Sequence, residues 1–141
     1  MKSKPFFFEI PLEVKTYDID FAGIVSNIVY VRWMEDLRLE LLEPYYPIRR
    51  QLQEGFAPVL ARTWIKYKRP IDIHAKVSGR MWVKELDSCK WVVAAEVVSN
   101  GKVAAVSEQT GLFVTLNDGR PMKMPGELLE KYAALVANKT V

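Results

Sequence analysis

The sequence has little of what most enzyme chemistries require: one cysteine (Cys89), one histidine (His74) and seven glycines among 141 residues. A lone cysteine cannot close an internal disulfide, which suits a reducing compartment. One Cys and one His cannot supply the nitrogen and sulfur ligands of a zinc site, and no dense acidic motif replaces them, so no metal is expected. No G-x-S-x-G elbow surrounds a serine, and His74, between Ile73 and Ala75, reads as a loop or half-buried histidine rather than a general base. Neither G-x-G-x-x-G nor G-x-x-x-x-G-K-[ST] occurs, so no nucleotide cofactor is expected.

Long apolar runs are missing too. Phe6-Phe7-Phe8 is broken by Glu9 and Pro11, far short of the roughly 20 residues that span a bilayer. Lys2 and Lys4 precede too short an apolar stretch for a signal peptide, and a cytoplasmic protein is expected. The net charge is only +3, from 20 basic and 17 acidic residues. These are scattered, which leaves no footprint for nucleic acid. The densest basic group, Lys66, Lys68 and Arg69, reads as a solvated strand end or as a phosphate contact.

Half the residues are apolar and about a quarter charged, an ordinary globular balance, and the length fits one domain, residues 1–141. Phe8, Ile10, Leu12 and Val14 alternate with polar residues and Pro11, predicting a strand at or near an edge. Tyr30, Trp33, Met34, Leu37 and Leu41 then fall at helical spacing, predicting a helix from about Asn27 to Leu42, capped by Asn27 and stopped by Pro44. A connection from Glu43 to Pro58 holds one helical turn at 48–54. Strands are expected over 59–69, 75–86, 90–98 and 102–116. Asn100-Gly101 marks a tight hairpin, and a short helix bearing Leu128, Tyr132, Leu135 and Val136 follows Pro125-Gly126. The order predicts an α+β fold, an antiparallel sheet wrapped around one long central helix.

The densest cluster of informative residues is Asp18-Ile19-Asp20-Phe21-Ala22-Gly23-Ile24-Val25-Ser26-Asn27, followed by Tyr30, Trp33, Glu35 and Arg38. It sets two carboxylates and a glycine before the N-terminus of the predicted helix. Helix N-termini expose N–H groups with partial positive charge, suited to a carbonyl oxygen gaining negative charge. A thioester fits such a site, because its thiolate leaving group needs no strong acid; a cysteine-like thiol has a pKa of about 8.5. On residue chemistry alone, Asp18 and Asp20 could equally build an Asx turn, and Glu35 and Arg38 an i, i+3 ion pair.

With D-x-D-x-x-G-x-V followed by Asn27, Tyr30, Trp33, Glu35 and Arg38 at matching spacing, the chain resembles the 4-hydroxybenzoyl-coenzyme A thioesterase-like branch of the hotdog superfamily. Tyr67 and Pro70 match the family's Y-x-x-P, and Gly119-Arg120-Pro121 its closing turn. Ser26-Asn27 stands where several relatives have an aromatic residue and His. The resemblance implies a hotdog fold and hydrolysis of an acyl-coenzyme A or acyl-carrier protein thioester. It assigns Asp20 as the catalytic carboxylate, the Asn27 backbone amide as the group polarising the carbonyl, and Gly23 as shaping the pocket. Ser26, Tyr30, Glu35, Lys66, Lys68 and Arg69 are candidate substrate contacts. A homodimer or homotetramer with sites between subunits is implied as well. A hotdog dehydratase or isomerase would need a catalytic His that His74 does not match, and a non-catalytic acyl-thioester binder would not need an acid at position 20. Trp64, Trp82 and Trp91 fit either a pocket lining or sheet core.

Overall fold

The computed structural model describes residues 3–138, and Lys2 lies outside them. Its elements are β1 (Phe8–Leu12), α1 (Asn27–Leu42), α2 (Ile48–Gln53), β2 (Phe56–Tyr67), β3 (Val77–Leu86), β4 (Trp91–Ser99), β5 (Lys102–Thr115), β6 (Pro121–Met122) and α3 (Gly126–Asn138). The strands form one antiparallel sheet in the order β1-β3-β4-β5-β2, with the short β6 added to β5. The sheet packs around α1 in the expected hotdog arrangement.

The predicted stripe of α1 is its buried face: Tyr30, Trp33, Met34, Leu37 and Leu41 are all buried, joined by Val29. Fully burying such side chains stabilises the fold by about 1.5–3 kcal/mol each. Leu37 sits over β3 at Gly79, where an added Cβ would come within 3.0 Å of the Leu37 methyls and 2.9 Å of Leu12. The glycine lets helix and sheet approach. Asn100 (φ 50°) and Gly101 (φ 81°) both take the left-handed backbone that a two-residue hairpin turn requires between β4 and β5.

Three details depart from the sequence reading. Ser26, not Asn27, flanks α1 with extended φ/ψ, so Asn27 is the first helical residue. Strand β2 begins at Phe56 rather than Val59, because it is an edge strand and Pro58 costs it no obligatory ladder bond. It also carries a bulge: pairing passes from Leu60 with Gly111 to Arg62 with Thr110, skipping Ala61. Phe56 is therefore buried ahead of the bulge, whereas beyond it the residues turned toward α1 are Thr63, Ile65 and Tyr67.

Candidate active site

The segment between β1 and α1 folds back on itself. The Ser26 N–H donates to the Asp18 carbonyl oxygen at 2.8 Å, and Ile19 bridges Val25. Inside that closure the Asp20 N–H donates to Ile24 O at 2.9 Å and the Gly23 N–H to Asp20 O at 3.0 Å, with Gly23 at φ 79°. That backbone conformation is costly for any residue with a Cβ. The two aspartates have separate tasks. Asp18 is buried, and its Oδ2 accepts the Lys15 N–H at 2.9 Å. Asp20 is half-buried; its Oδ1 accepts the Ala22 N–H at 2.8 Å, while its Oδ2 has no partner among the described residues. One aspartate builds the loop and the other presents a free carboxylate oxygen.

Helix α1 starts one residue after the loop closes. Val29 N–H donates to Ser26 O at 3.0 Å, and the N–H groups of Asn27 and Ile28 have no acceptor among the described residues. Free donors and the positive end of the helix dipole lie beside the loop that carries Asp20.

The far end of β2 closes on the same place. The Tyr67 hydroxyl donates to Asn27 O at 3.5 Å, the Tyr67 and Tyr30 rings meet edge-on at 4.9 Å, and Val25 N–H donates to Ile71 O at 2.8 Å. Burial, then the neighbouring Tyr67, pushes the Tyr30 hydroxyl pKa up. Lys66, Lys68 and Arg69 flank Tyr67, are exposed, and make no ion pair among the described residues. The structure therefore brings Asp20, Gly23, Ser26, Asn27, Tyr30 and the three cations to one end of the molecule. Phe21, 103% exposed, stands beside Asp20.

Glu35 lies elsewhere. Eight residues beyond Asn27, about 12 Å along the helix axis, it lines a cavity of about 300 Å³ between α1 and the sheet. Leu39, Leu42, Pro58, Leu60, Trp91 and Phe113 supply apolar walls, and Arg38 joins Glu35 as a charged one. Glu35 and Arg38 form no ion pair. The Arg38 Nη1 donates instead to Gln109 Oε1, and Gln109 Nε2 donates to Thr63 Oγ at 3.0 Å. Burial pulls the Arg38 guanidinium pKa down, while the Glu35 charge opposes that shift. Of the three strand tryptophans, Trp91 lines the cavity. Trp82 lies on the opposite face of the sheet against Phe7 and Lys4, and Trp64 is 48% exposed.

Sequence reasoning missed Tyr67 as a site neighbour and Gln109 as the anchor of Arg38. A signal for Gln109 was present: it occupies an inward position in the alternation Ala105, Ser107, Gln109, Gly111, Phe113, where an apolar residue is the norm. Among the described residues no three His, Cys, Asp or Glu side chains gather to hold a metal ion, and no helix is long and apolar enough to cross a membrane.

An antiparallel sheet wrapped on one long helix is the hotdog fold. The family model of the thioesterase-like superfamily matches residues 14–132, and the chain belongs to that superfamily. A protein of Aquifex aeolicus (strain VF5), whose esterase designation is provisional, is 25% identical over 118 residues, covering 83% of this chain and 91% of its own length. A thioesterase from Thermus thermophilus, solved with coenzyme A and Zn, superposes with a TM-score of 0.78 at 26% identity, covering 97% of this chain and 98% of that one. The DHNA-CoA thioesterase of Staphylococcus aureus shares the fold with a TM-score of 0.87 at 17% identity, over 95% and 93% of the two chains.

Proposed function

We propose that the chain hydrolyses an acyl-coenzyme A thioester, or an acyl-carrier protein thioester, to free acid and thiol. The observation carrying this reading is the free Oδ2 of Asp20, held in a closed loop directly before the unpartnered N–H groups of Asn27 and Ile28. The thioester carbonyl oxygen approaches those amides, which stabilise the negative charge it gains when attacked. Asp20 serves either as general base toward water or as nucleophile forming a mixed anhydride. Gly23 leaves room above the loop, and Ser26 and Tyr30 border it. Lys66, Lys68 and Arg69 suit the phosphates of coenzyme A, in keeping with the coenzyme bound to the Thermus thermophilus relative.

The apolar cavity takes the acyl group, and a second copy of the chain completes the site. Within one chain the edge-on Tyr30–Tyr67 pair lies at the Asn27 end of α1, and neither ring lines the cavity. Strand β2 is an unpaired edge whose Val59, Leu60, Trp64 and Tyr67 are exposed, near the exposed Ile28, Val31 and Leu39 of α1. Two β2 edges paired antiparallel about a two-fold axis set the Tyr67 end of one copy, and its Asp20 loop, against the Pro58–Leu60 cavity mouth of the other.

Release of free thiol, followed with a chromogenic reagent across aliphatic and aromatic acyl-coenzyme A esters and their carrier-protein counterparts, tests the reading. Turnover that Asp20→Asn suppresses supports it. Absence of turnover on every member of both panels overturns it.

A further inference from the structure

The lining of the cavity includes residues from near the two ends of the chain, together with Leu41 and Leu42 from the last turn of α1. Phe6 comes from the segment before β1 and Leu128 from α3; both are buried and both line the cavity. Neither is placed passively. Phe6 holds a left-handed backbone at φ 62°, a conformation that costs a non-glycine residue about 1–3 kcal/mol and persists only when its surroundings enforce it. What enforces it is the edge-on contact of the Phe6 ring with Tyr45, centroids 4.5 Å apart, while the neighbouring Pro5 carbonyl accepts the Val83 N–H at 2.9 Å.

Leu128 is held by a latch next to it in sequence. The Arg50 guanidinium of α2 grips Glu127 through both terminal nitrogens, at 2.6 and 2.7 Å, and through Nε holds Glu54 at 2.8 Å. Arg50 also lies over the Tyr46 ring at 3.9 Å, and the Tyr46 hydroxyl donates to Glu54. A two-pronged guanidinium–carboxylate pair fixes orientation as well as distance. Lys131, one turn further along α3, reaches the ring of Tyr45, the residue against which Phe6 packs.

We infer that Phe6 and Leu128 form the stop of an acyl-length ruler, and that the Arg50–Glu127 latch keeps α3 seated so that the stop does not give way. The inference rests on the cavity being the acyl pocket. At about 300 Å³ the cavity lies at the small end of ligand pockets, so the position of its end wall decides which acyl groups fit. Leu128 is a specificity-determining residue and Arg50 and Glu127 are positioning residues; none of them touches the reacting thioester.

The test is a ladder of straight-chain acyl thioesters rising by two carbons, read as kcat/KM for the wild type, Leu128→Ala, Leu128→Trp and Glu127→Gln. The Leu→Ala change removes three carbons from the proposed stop, so the longest well-hydrolysed chain is expected to grow by about two carbons. Leu128→Trp is expected to shorten the range, and Glu127→Gln to blur its upper limit. The same ladder of free carboxylic acids is titrated in parallel and followed by tryptophan fluorescence, Trp91 being in the cavity wall. A binding cut-off that shifts with Leu128 upholds the ruler even if the wild type hydrolyses nothing, and the thioesterase reading then falls alone. An identical chain-length limit in folded wild type, Leu128→Ala and Leu128→Trp, by turnover or by binding, overturns the ruler.

Discussion

The N–H of Ser26 and the carbonyl oxygen of Asp18, 2.8 Å apart, tie the entry of α1 to the loop before it, and Asp20 lies inside the knot. The loop is held by backbone bonds and by the buried Asp18, so the Asp20 carboxylate contributes one short-range turn bond and little else to the fold. Asp20→Asn is therefore expected to lower thioester hydrolysis at least about a hundredfold, the usual scale for losing an acid-base group, with the melting temperature almost unchanged. Kinetics and thermal melts on one preparation check both halves. Retained turnover would move the chemistry to Glu35.

Gln109 is 1% exposed and spends both ends of its amide, accepting from Arg38 and donating to Thr63. Truncating it strands a half-buried guanidinium without its acceptor, so Gln109→Ala is expected to destabilise the fold by about 1–3 kcal/mol. Removing both partners, as in Gln109→Leu with Arg38→Met, should cost less than the two single changes added together. Urea unfolding of wild type, Gln109→Ala, Gln109→Leu, Arg38→Met and the double variant measures both effects, and additive losses would show that the bond matters little.

Gly111 lies under Trp91, and a Cβ there would overlap both the indole ring and the Val59 carbonyl oxygen of the neighbouring strand. Backbone on one side and a wedged ring on the other leave no direction for relief. Gly111→Ala should cost about 1–3 kcal/mol, typical of overpacking, and should alter Trp91 fluorescence. A variant as stable as wild type would mean the ring has somewhere else to go.

The α2–α3 latch depends on pH. Its bond from Arg50 holds the Glu127 carboxyl below the usual 4.5, and the Tyr46 hydroxyl, then Arg50, do the same for Glu54. A carboxyl pKa lower in the folded than in the unfolded chain adds stability above the ordinary value and forfeits it as pH falls through the folded one. The melting-temperature advantage of wild type over Glu127→Gln should be full at pH 7 and shrink below about pH 4.5. A gap constant down to pH 3 would exclude ionisation as its source.

Self-association along β2 predicts twice the chain mass in sedimentation at micromolar concentration. Leu60→Glu, at the exposed cavity mouth, should shift the protein toward the single-chain mass and lower turnover in step. A fully active single chain would restore the whole site to one copy.

Elements with local signals were legible in the sequence. The α1 stripe repeats every three to four residues, Asn100-Gly101 is a turn in itself, and the Asp18–Asn27 loop is closed by bonds within ten residues. What could not be read depends on partners far along the chain. Arg38 and Gln109 are 71 residues apart, and the i, i+3 pairing of Glu35 with Arg38 gave way to that distant bond. The start of β2 depends on its being an edge, which only the strand order reveals. The lining of the cavity joins Phe6 to Leu128, and no sequence window contains both.

Skipping Ala61 in the pairing of β2 and β5 amounts to a change of phase in a strand of period two. The same strand can thus turn Phe56 into the core at one end and Tyr67 onto Asn27 at the other, positions of opposite parity. Were Ala61 paired in an unbroken ladder instead of bulged out, Thr63, Ile65 and Tyr67 would rotate to the outer face. Gln109 would lose its hydroxyl partner and the first turn of α1 its aromatic neighbour, so a residue that pairs with nothing keeps the two halves of the site in step.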